Sequence, residues 1–399
     1  MKINLFHFIS NVSLYIPDLK SLVNLYCRRV VHLLLIPFVW IHKIGEVPNN
    51  CKNIAFFSPL PPIPSGISDY TVDLIDAFPS EFNFYIFVDD DYPMSFICKS
   101  KIKSFYAIYF NIIKRSVNFL TIVYQIGGSR YHSYMYRYLE KHKGAVILHD
   151  GLRFRYAGDK SKLLHGCTLF VHSDYARNEL LINGFNSSDV HKINQIMPVA
   201  DSLESLAVRK QEVRDKLGIP GDKFIIGCFG IASPPKNISA VLRAIDSYFL
   251  NSDEFIFIMA GNSLVDKDVI SFLKKHNDDQ RFVFYRSPPL EKFYDLLKIT
   301  DLCFNLRYPF YGVTSASLLR IMSCAIPAVV TDIGSFLEFP DDCVIKTSCS
   351  INIDEYKNII SRGYSDRKWL RTVGVNAYNY IKNEHSPVKI VNDILKVVL

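Results

Sequence analysis

Arg307 is the side chain from which the chemistry of this sequence is best read. It follows DLCFNL (301–306), a short apolar run that reads as a buried strand. The end of such a strand is where open α/β sheets place ligand contacts. The turn YPFYGV comes next, broken by Pro309 and Gly312. SASLLRIMSCA (315–325) then reads as a helix whose Leu318, Leu319 and Met322 share a buried face, with Thr314 or Ser315 as its N-cap. A loop entering a helix presents free backbone N–H groups and the positive end of the helix dipole. A guanidinium beside that helix end describes a site for an anion such as a phosphate.

A second set of groups lies earlier. AVILHDG (145–151) is a buried strand ending in His149 and Asp150. A histidine there can hydrogen-bond a hydroxyl or move a proton, or can merely cap its own loop. The loop PPIPSG, with Ser65 and Gly66, follows the apolar run IAFFSPL and leads into the helical pattern ISDYTVDLIDAF, capped by Ser68 or Asp69. Asp89, Asp90 and Asp91 end the strand FNFYIFVDDD; their early position and surroundings read as a solvated turn, not a metal site.

These groups need elements to hold them. From Asn53 onward, strand-like runs alternate with helical ones: LTIVYQIGGSRYH, AVILHDG and CTLFVHSDYARNELL, the last with Ser173 capping a helix near Tyr175. A polar stretch, residues 201–222, carries a short helix and the connection between domains. A second series follows: FIIGCFG, ISAVLRAIDSYF, EFIFIMAG and DVISFLKKH. The fold class expected is α/β, two doubly wound parallel-sheet, Rossmann-like domains facing a cleft.

With 399 residues the chain has room for two to three domains, and 49 % hydrophobic residues can fill a large core. Basic residues exceed acidic ones by 46 − 39 = 7, a mild excess that suits anionic ligands or an anionic membrane face. No RNA-binding or zinc-finger motif accompanies it, so nucleic acid is not expected as a partner. Nine scattered cysteines without a CxxC read as reduced thiols in a cytoplasmic protein. Residues 1–50 differ from the rest. Val30–Ile41 is apolar, flanked by Arg28, Arg29 and Lys43, too short to span a bilayer and interrupted by Pro37. It fits either a helix packed on the following domain or an interfacial helix bringing residues 26–43, with Trp40, to an anionic membrane.

The order Asp301, Leu306, Arg307, Pro309, Gly312, Thr314, Ser315, Ser317, Leu318, Arg320, Pro327, Thr331, Asp332, Gly334, Glu338, Pro340 and Asp341 resembles the donor half of glycosyltransferase family 4, in a branch with an LRxP…GETS…ELPD pattern. Ser58–Pro62, Ser65, Gly66, Ile67, Asp69 and Tyr70 resemble that branch's first motif. Tyr124, Gln125, Gly127 and His132 resemble its second, and His149–Asp150 its L-H-D. The resemblance implies the GT-B architecture, with an amino-terminal arm (1–50), an acceptor-side domain (51–200), a linker (201–222) and a nucleotide-sugar domain (223–375). A final helical segment (376–399) returns to the first domain.

It also implies retaining transfer of a sugar from a nucleotide-sugar to a hydroxyl of a glycan or lipid-linked acceptor, as in bacterial surface polysaccharide assembly. Cofactor and metal are not required if cations hold the diphosphate. Donor contacts fall on Gly230, Lys236, Gly261, Asn262, Arg307, Thr314 and Ser315. Cleft and acceptor contacts fall on Ser65, Gly66, Asp69, Tyr70, Gly127, His132 and Asp150, and the candidate catalytic residues are His149 and Glu338. The sequence departs from the pattern at Val313, where the family has glutamate, and at Ile231, where many members have arginine. Valine offers no hydrogen bond to a donor sugar. A non-catalytic nucleotide-sugar-binding subunit, or a hydrolase or epimerase of nucleotide-sugars, therefore stands beside the transferase.

Overall fold

The computed structural model describes residues 52–63, 65–91, 98–99, 102–150, 158–250, 252–261, 266–276, 278–310, 312 and 314–398. The arm 1–50 with its expected membrane contact at 26–43, and the two site positions Asn262 and Val313, lie outside the described residues.

The first domain runs β1 (Lys52–Phe57), α1 (Gly66–Asp76), β2 (Phe82–Val88), β3 (Cys98–Lys99), β4 (Ile102–Tyr106), α2 (Phe110–Ser116), β5 (Thr121–Ile126), α3 (Met135–Lys141), β6 (Ala145–Leu148), β7 (Thr168–Val171), α4 (Asp174–Ile182) and β8 (Val190–Lys192). Its sheet has the order β3-β4-β2-β1-β5-β6-β7-β8, parallel throughout except that β3 pairs antiparallel with β4. Alternate residues of β1 enter opposite cores. Ile54 and Phe56 pack on one face, Ala55 and Phe57 on the other, all at most 1 % exposed. Burial on both faces is why these strands read as unbroken apolar runs. On one side Phe57 stacks on Tyr124 with centroids 4.9 Å apart, so neighbouring strands are locked by their aromatic side chains as well as by the ladder.

The second domain runs α5 (Leu203–Lys216), β9 (Phe224–Phe229), α6 (Ile238–Phe249), β10 (Phe255–Gly261), α7 (Lys267–Lys275), β11 (Phe282–Arg286), α8 (Leu290–Ile299), β12 (Leu302–Phe304), α9 (Ala316–Ser323), β13 (Ala328–Thr331), β14 (Ile345–Thr347), α10 (Ile353–Ser365) and α11 (Arg367–Glu384), after which α12 (Pro387–Val398) ends the chain. Its six strands are all parallel in the order β11-β10-β9-β12-β13-β14. Both sheets reverse winding direction once, between β1 and β5 and between β9 and β12. Doubly wound sheets open their ligand crevice at those points.

The expected cap of α1 is corrected. The helix begins at Gly66, and Ser65, extended at φ −135°, accepts from Ile67 N. Ser68, already inside the first turn, is buried. Ser173 and Ser315 cap α4 and α9, accepting from Ala176 N and Leu318 N. The expected short helix of residues 201–222 is α5; it lies against α8 and is tied to the second domain by Lys210 and Arg214 on Asp301. The chain returns after α11. His385 Nδ1 donates to Gln195 O at 2.7 Å, Met197 N to His385 O at 3.0 Å and Asn194 Nδ2 to Glu384 O at 3.0 Å, so the outgoing and returning segments are laced together. Ile390, Val391 and Ile394 of α12 then complete the first domain's core beside Ile54 and Leu74. No helix among the described residues is long and apolar enough to cross a membrane.

Candidate active site

The second domain brings two cations to its switch point. Lys236 lies in the loop after β9 and Arg307 in the loop after β12. Lys236 is 5 % exposed, and its ammonium donates to Phe229 O at 2.5 Å. Arg307 donates to Leu306 O at 2.8 Å and reaches Ser315 Oγ at 3.5 Å. Neither cation pairs with a carboxylate among the described residues. Burial, with Arg307 close by, brings the Lys236 ammonium down to about 7, and burial lowers Arg307 to about 10. Two desolvated positive charges side by side are costly unless an anion joins them.

The surrounding groups fix these side chains. Tyr308 N donates to Pro235 O at 2.7 Å and Asn237 Nδ2 to Tyr308 O at 3.2 Å, so the lysine loop and the arginine loop are one unit. Asn305 Nδ2 donates to Ser315 Oγ at 3.0 Å, and Ser317 Oγ donates to Asn305 Oδ1 at 3.2 Å, which seats the first turn of α9 beside Arg307. A Cβ at Gly261 would stand 2.0 Å from Gly230 O, so the turns after β9 and β10 touch backbone to backbone. Gly230 itself is left-handed (φ 92°), and a Cβ there would come within 2.9 Å of the Lys236 ammonium. Thr314 is half-buried.

The first domain faces this unit with the carboxyl ends of β1, β5, β6 and β7. Gly127 follows β5, and a Cβ there would meet Ile67 Cδ1 at 2.5 Å, so the first-motif loop and the second are in contact. Asp150 Oδ2 accepts from Gly128 N at 2.5 Å. His132 Nδ1 donates to Gln125 O at 2.8 Å. Tyr70, buried, sets its ring edge-on to His149, centroids 4.7 Å apart. Asp69 reaches across to Arg320 of α9 at 3.5 Å. Asp73, one turn further along α1, is raised to about 6 by burial and the neighbouring Asp69.

His149 belongs to a chain the sequence did not announce as one. His172 Nδ1 lies 3.3 Å from Ile193 O and so carries a proton; its Nε2, 3.2 Å from His149 Nδ1, accepts. His149 is thus the Nδ1–H tautomer, and its Nε2 lies 2.6 Å from the side-chain amide of Gln125, placed with Oε1 toward it. The neutral chain is complete when the Gln125 amide turns its NH₂ to His149, which gives the buried Gln125 Nε2 the partner it otherwise lacks. Burial keeps both imidazoles neutral: His149 is pushed well below its usual value and His172 to about 4. The sequence shows only that polar side chains stand at the ends of three successive strands; the sheet order is what sets them facing one another.

Glu338 bridges the domains. Its two oxygens accept from Asp174 N at 2.9 Å and Tyr175 N at 2.8 Å, and Lys192 Nζ lies 3.1 Å away. A second-domain carboxylate therefore caps a first-domain helix at the positive end of its dipole. Tyr175 meets Phe310 of the arginine loop edge-on at 5.2 Å. Thr314 and Ser335 share a small interdomain cavity with Glu338, His172 and Lys192. The structure thus joins Gly230, Lys236, Gly261, Arg307 and Ser315 in one half, Ser65, Gly66, Tyr70, Gly127, His132, His149 and Asp150 in the other, with Glu338 and Asp69 at the seam. The expected solvated turn at Asp89, Asp90 and Asp91 is corrected: Asp89 and Asp90 are buried, and Asp90 pairs with Arg137 and accepts from Ile108 N.

Two parallel-sheet domains of this topology, with cations at a switch point, define the GT-B architecture. Residues 209–380 match the family model described as glycosyl transferases group 1. Among solved structures the chain is similar to HepE from Anabaena in complex with UDP-glucose (14 % identity, TM-score 0.66, covering 87 % of this chain and 99 % of that one). It is similar also to sucrose-phosphate synthase from Thermosynechococcus elongatus (14 %, 0.69, 87 % and 98 %) and to WaaG, a glycosyltransferase involved in lipopolysaccharide biosynthesis (11 %, 0.62, 86 % and 99 %). A comparison with curated protein sequences gives no match.

Proposed function

We propose that the chain transfers a sugar from a nucleotide-sugar to a hydroxyl acceptor with retention at the anomeric carbon, as a family 4 glycosyltransferase of bacterial surface-glycan assembly. One observation carries the reading: Lys236 and Arg307 are desolvated cations without a carboxylate partner among the described residues, held at the switch point beside the N-terminus of α9. A diphosphate is the anion that fits such a pair. The same charges that bind it stabilise it as the leaving group, so this reading assigns no step to a metal. The HepE structures holding UDP and UDP-glucose support the donor class, and WaaG supports the glycan setting.

In this reading the loops bearing Ser65, Gly66, Asp69, Gly127 and Asp150 form the acceptor side. His149 and Glu338 are both engaged with protein groups, so each acts by shaping the closed cleft or exchanges these partners when substrate enters. Residues 26–43 bring the chain to the cytoplasmic face of an anionic membrane; deleting residues 1–45 should abolish sedimentation with anionic vesicles and leave a folded protein.

The test is a thermal-shift screen against nucleotide-sugars, followed by transfer of labelled sugar to acceptor, since ligand binding raises apparent stability by mass action. The absence of a shift with every nucleotide-sugar would overturn the reading. A shift without any transfer would favour the second reading, a binding subunit, which rests on Val313.

A further inference from the structure

The second domain has another basic recess, at the end of the sheet away from Lys236 and Arg307. It is a cavity of about 730 Å³ between α5, the start of α11 and the turn before β13. Its position follows from its residues: Thr300 and Asp301 precede β12, and Ile326 and Pro327 precede β13, so it lies at the amino ends of strands whose carboxyl ends carry the site already described.

Five cations line it, Lys210, Arg214, Lys298, Arg367 and Arg371, against two carboxylates, Asp222 and Asp301. Asp301 is met by three cations: Lys210 at 2.6 Å, Arg214 at 2.7 Å and Arg367 at 3.6 Å. Of the lining cations, Lys298 is held by Asp201 at 3.0 Å, a carboxylate that Arg209 also meets at 3.4 Å. Arg371, on the turn of α11 after Arg367, also lines the cavity, is exposed and has no ion pair among the described residues. Three of these cations face one carboxylate; Arg214 is buried, its side chain 5 % exposed, while Lys210, Arg367 and Arg371 keep part of their surface open to solvent. Gln211, Thr300 and Lys298 add polar groups, and the apolar part of the wall comes from Leu203, Leu206, Ile326, Pro327 and Leu370. A pure ion-pair cluster would need neither the unpaired Arg371 nor an open volume of the size that holds small ligands.

We propose that this recess is a second anion site, taking a soluble organic phosphate of up to nucleotide size, its phosphate on Arg367, Arg371 and Lys210 and its uncharged body on the apolar wall. Arginines on successive turns suit phosphate oxygens by paired N–H donation. The site is separate from the donor site, so it stands or falls independently of the proposed transferase activity.

The probe is inorganic pyrophosphate, titrated calorimetrically into the full chain at fixed salt, since ionic strength screens exposed charges. The double variant Lys236→Ala/Arg307→Ala, which lacks the donor cations, should still bind one pyrophosphate. Adding Arg371→Glu to it should weaken that binding at least tenfold, and so should Ala207→Glu, which places a carboxylate at the exposed rim. Both added changes are at exposed positions, so circular dichroism should be unchanged. A double variant that binds no pyrophosphate, or binding indifferent to both rim substitutions, would overturn the proposal.

Discussion

Nucleotide-sugar binding to this protein should take up a proton, and Lys236 is where the proton goes. In the folded chain its ammonium titrates at about 7, well below the 10.5 of a solvated lysine, chiefly because it is buried and secondarily because Arg307 is close. The folded-state value is lowered, so between about pH 7 and pH 10.5 the unfolded chain holds the extra proton. Stability of the free protein therefore rises with pH across that window, by at most ~1.4 kcal/mol per unit from this residue. Below pH 7 both states are charged and the full burial cost, on the order of 4–5 kcal/mol, is present. A bound diphosphate reverses the balance by restoring the charged form. At pH 8 the free lysine is only about one-tenth charged, so binding should take up about 0.9 proton; at pH 6 it should take up about 0.1. Donor affinity should fall about tenfold per pH unit above pH 7.5.

The assay is calorimetry at both pH values in buffers of different ionisation enthalpy. A nucleotide-sugar is used because both of its phosphates are diesters with no ionisation in this range. Lys236→Met should abolish the pH-dependent uptake, weaken binding, and raise the stability of the free protein at pH 6 by a few kcal/mol, a gain in stability against function. Equal proton uptake at pH 6 and pH 8, or uptake that survives in Lys236→Met, would refute the reasoning.

Other outcomes follow from the same geometry. Lys236→Ala and Arg307→Ala should each weaken donor binding by about 1.5–3 kcal/mol, measured by titration. Glu338→Ala removes the carboxylate that caps α4 from the other domain; it should cost about 1–2 kcal/mol and enlarge the radius of gyration in small-angle scattering. An unchanged scattering curve would mean that α12 and the laced crossing segments hold the domains without it. Gly261→Ala sets a methyl against Gly230 O and should destabilise the second domain by about 2 kcal/mol or more in urea unfolding, with loss of nucleotide binding. Val313→Glu should raise turnover or donor affinity in a weakened transferase and leave a binding subunit at zero; a fall in the rate of an active wild type would mean a site rebuilt around an apolar contact.

The sequence by itself determined the two α/β series and the caps at Ser173 and Ser315. Strands such as IAFFSPL and FIIGCFG are buried on both faces, so their apolar runs are local and continuous, and Ser173 and Ser315 cap helices through bonds that span three residues. The switch-point cations were legible for the same reason: Arg307 lies at a strand end whatever the rest of the chain does. The cap of α1 was misplaced, at Ser68 or Asp69, because both and Ser65 are capable caps, and the choice fell to the extended backbone at Ser65.

What only the tertiary structure decided involves partners far apart in the chain. Gln125, His149 and His172 become one hydrogen-bonded chain because β5, β6 and β7 lie side by side in register, and His149 alone reads equally well as a cap of its own loop. Glu338 and the N-terminus of α4 are 164 positions apart and meet only when the domains close. The pairing of Lys236 with Arg307 depends on Asn237 and Tyr308 tying two loops together, and burial, which no local pattern reports, is what makes them two desolvated cations side by side.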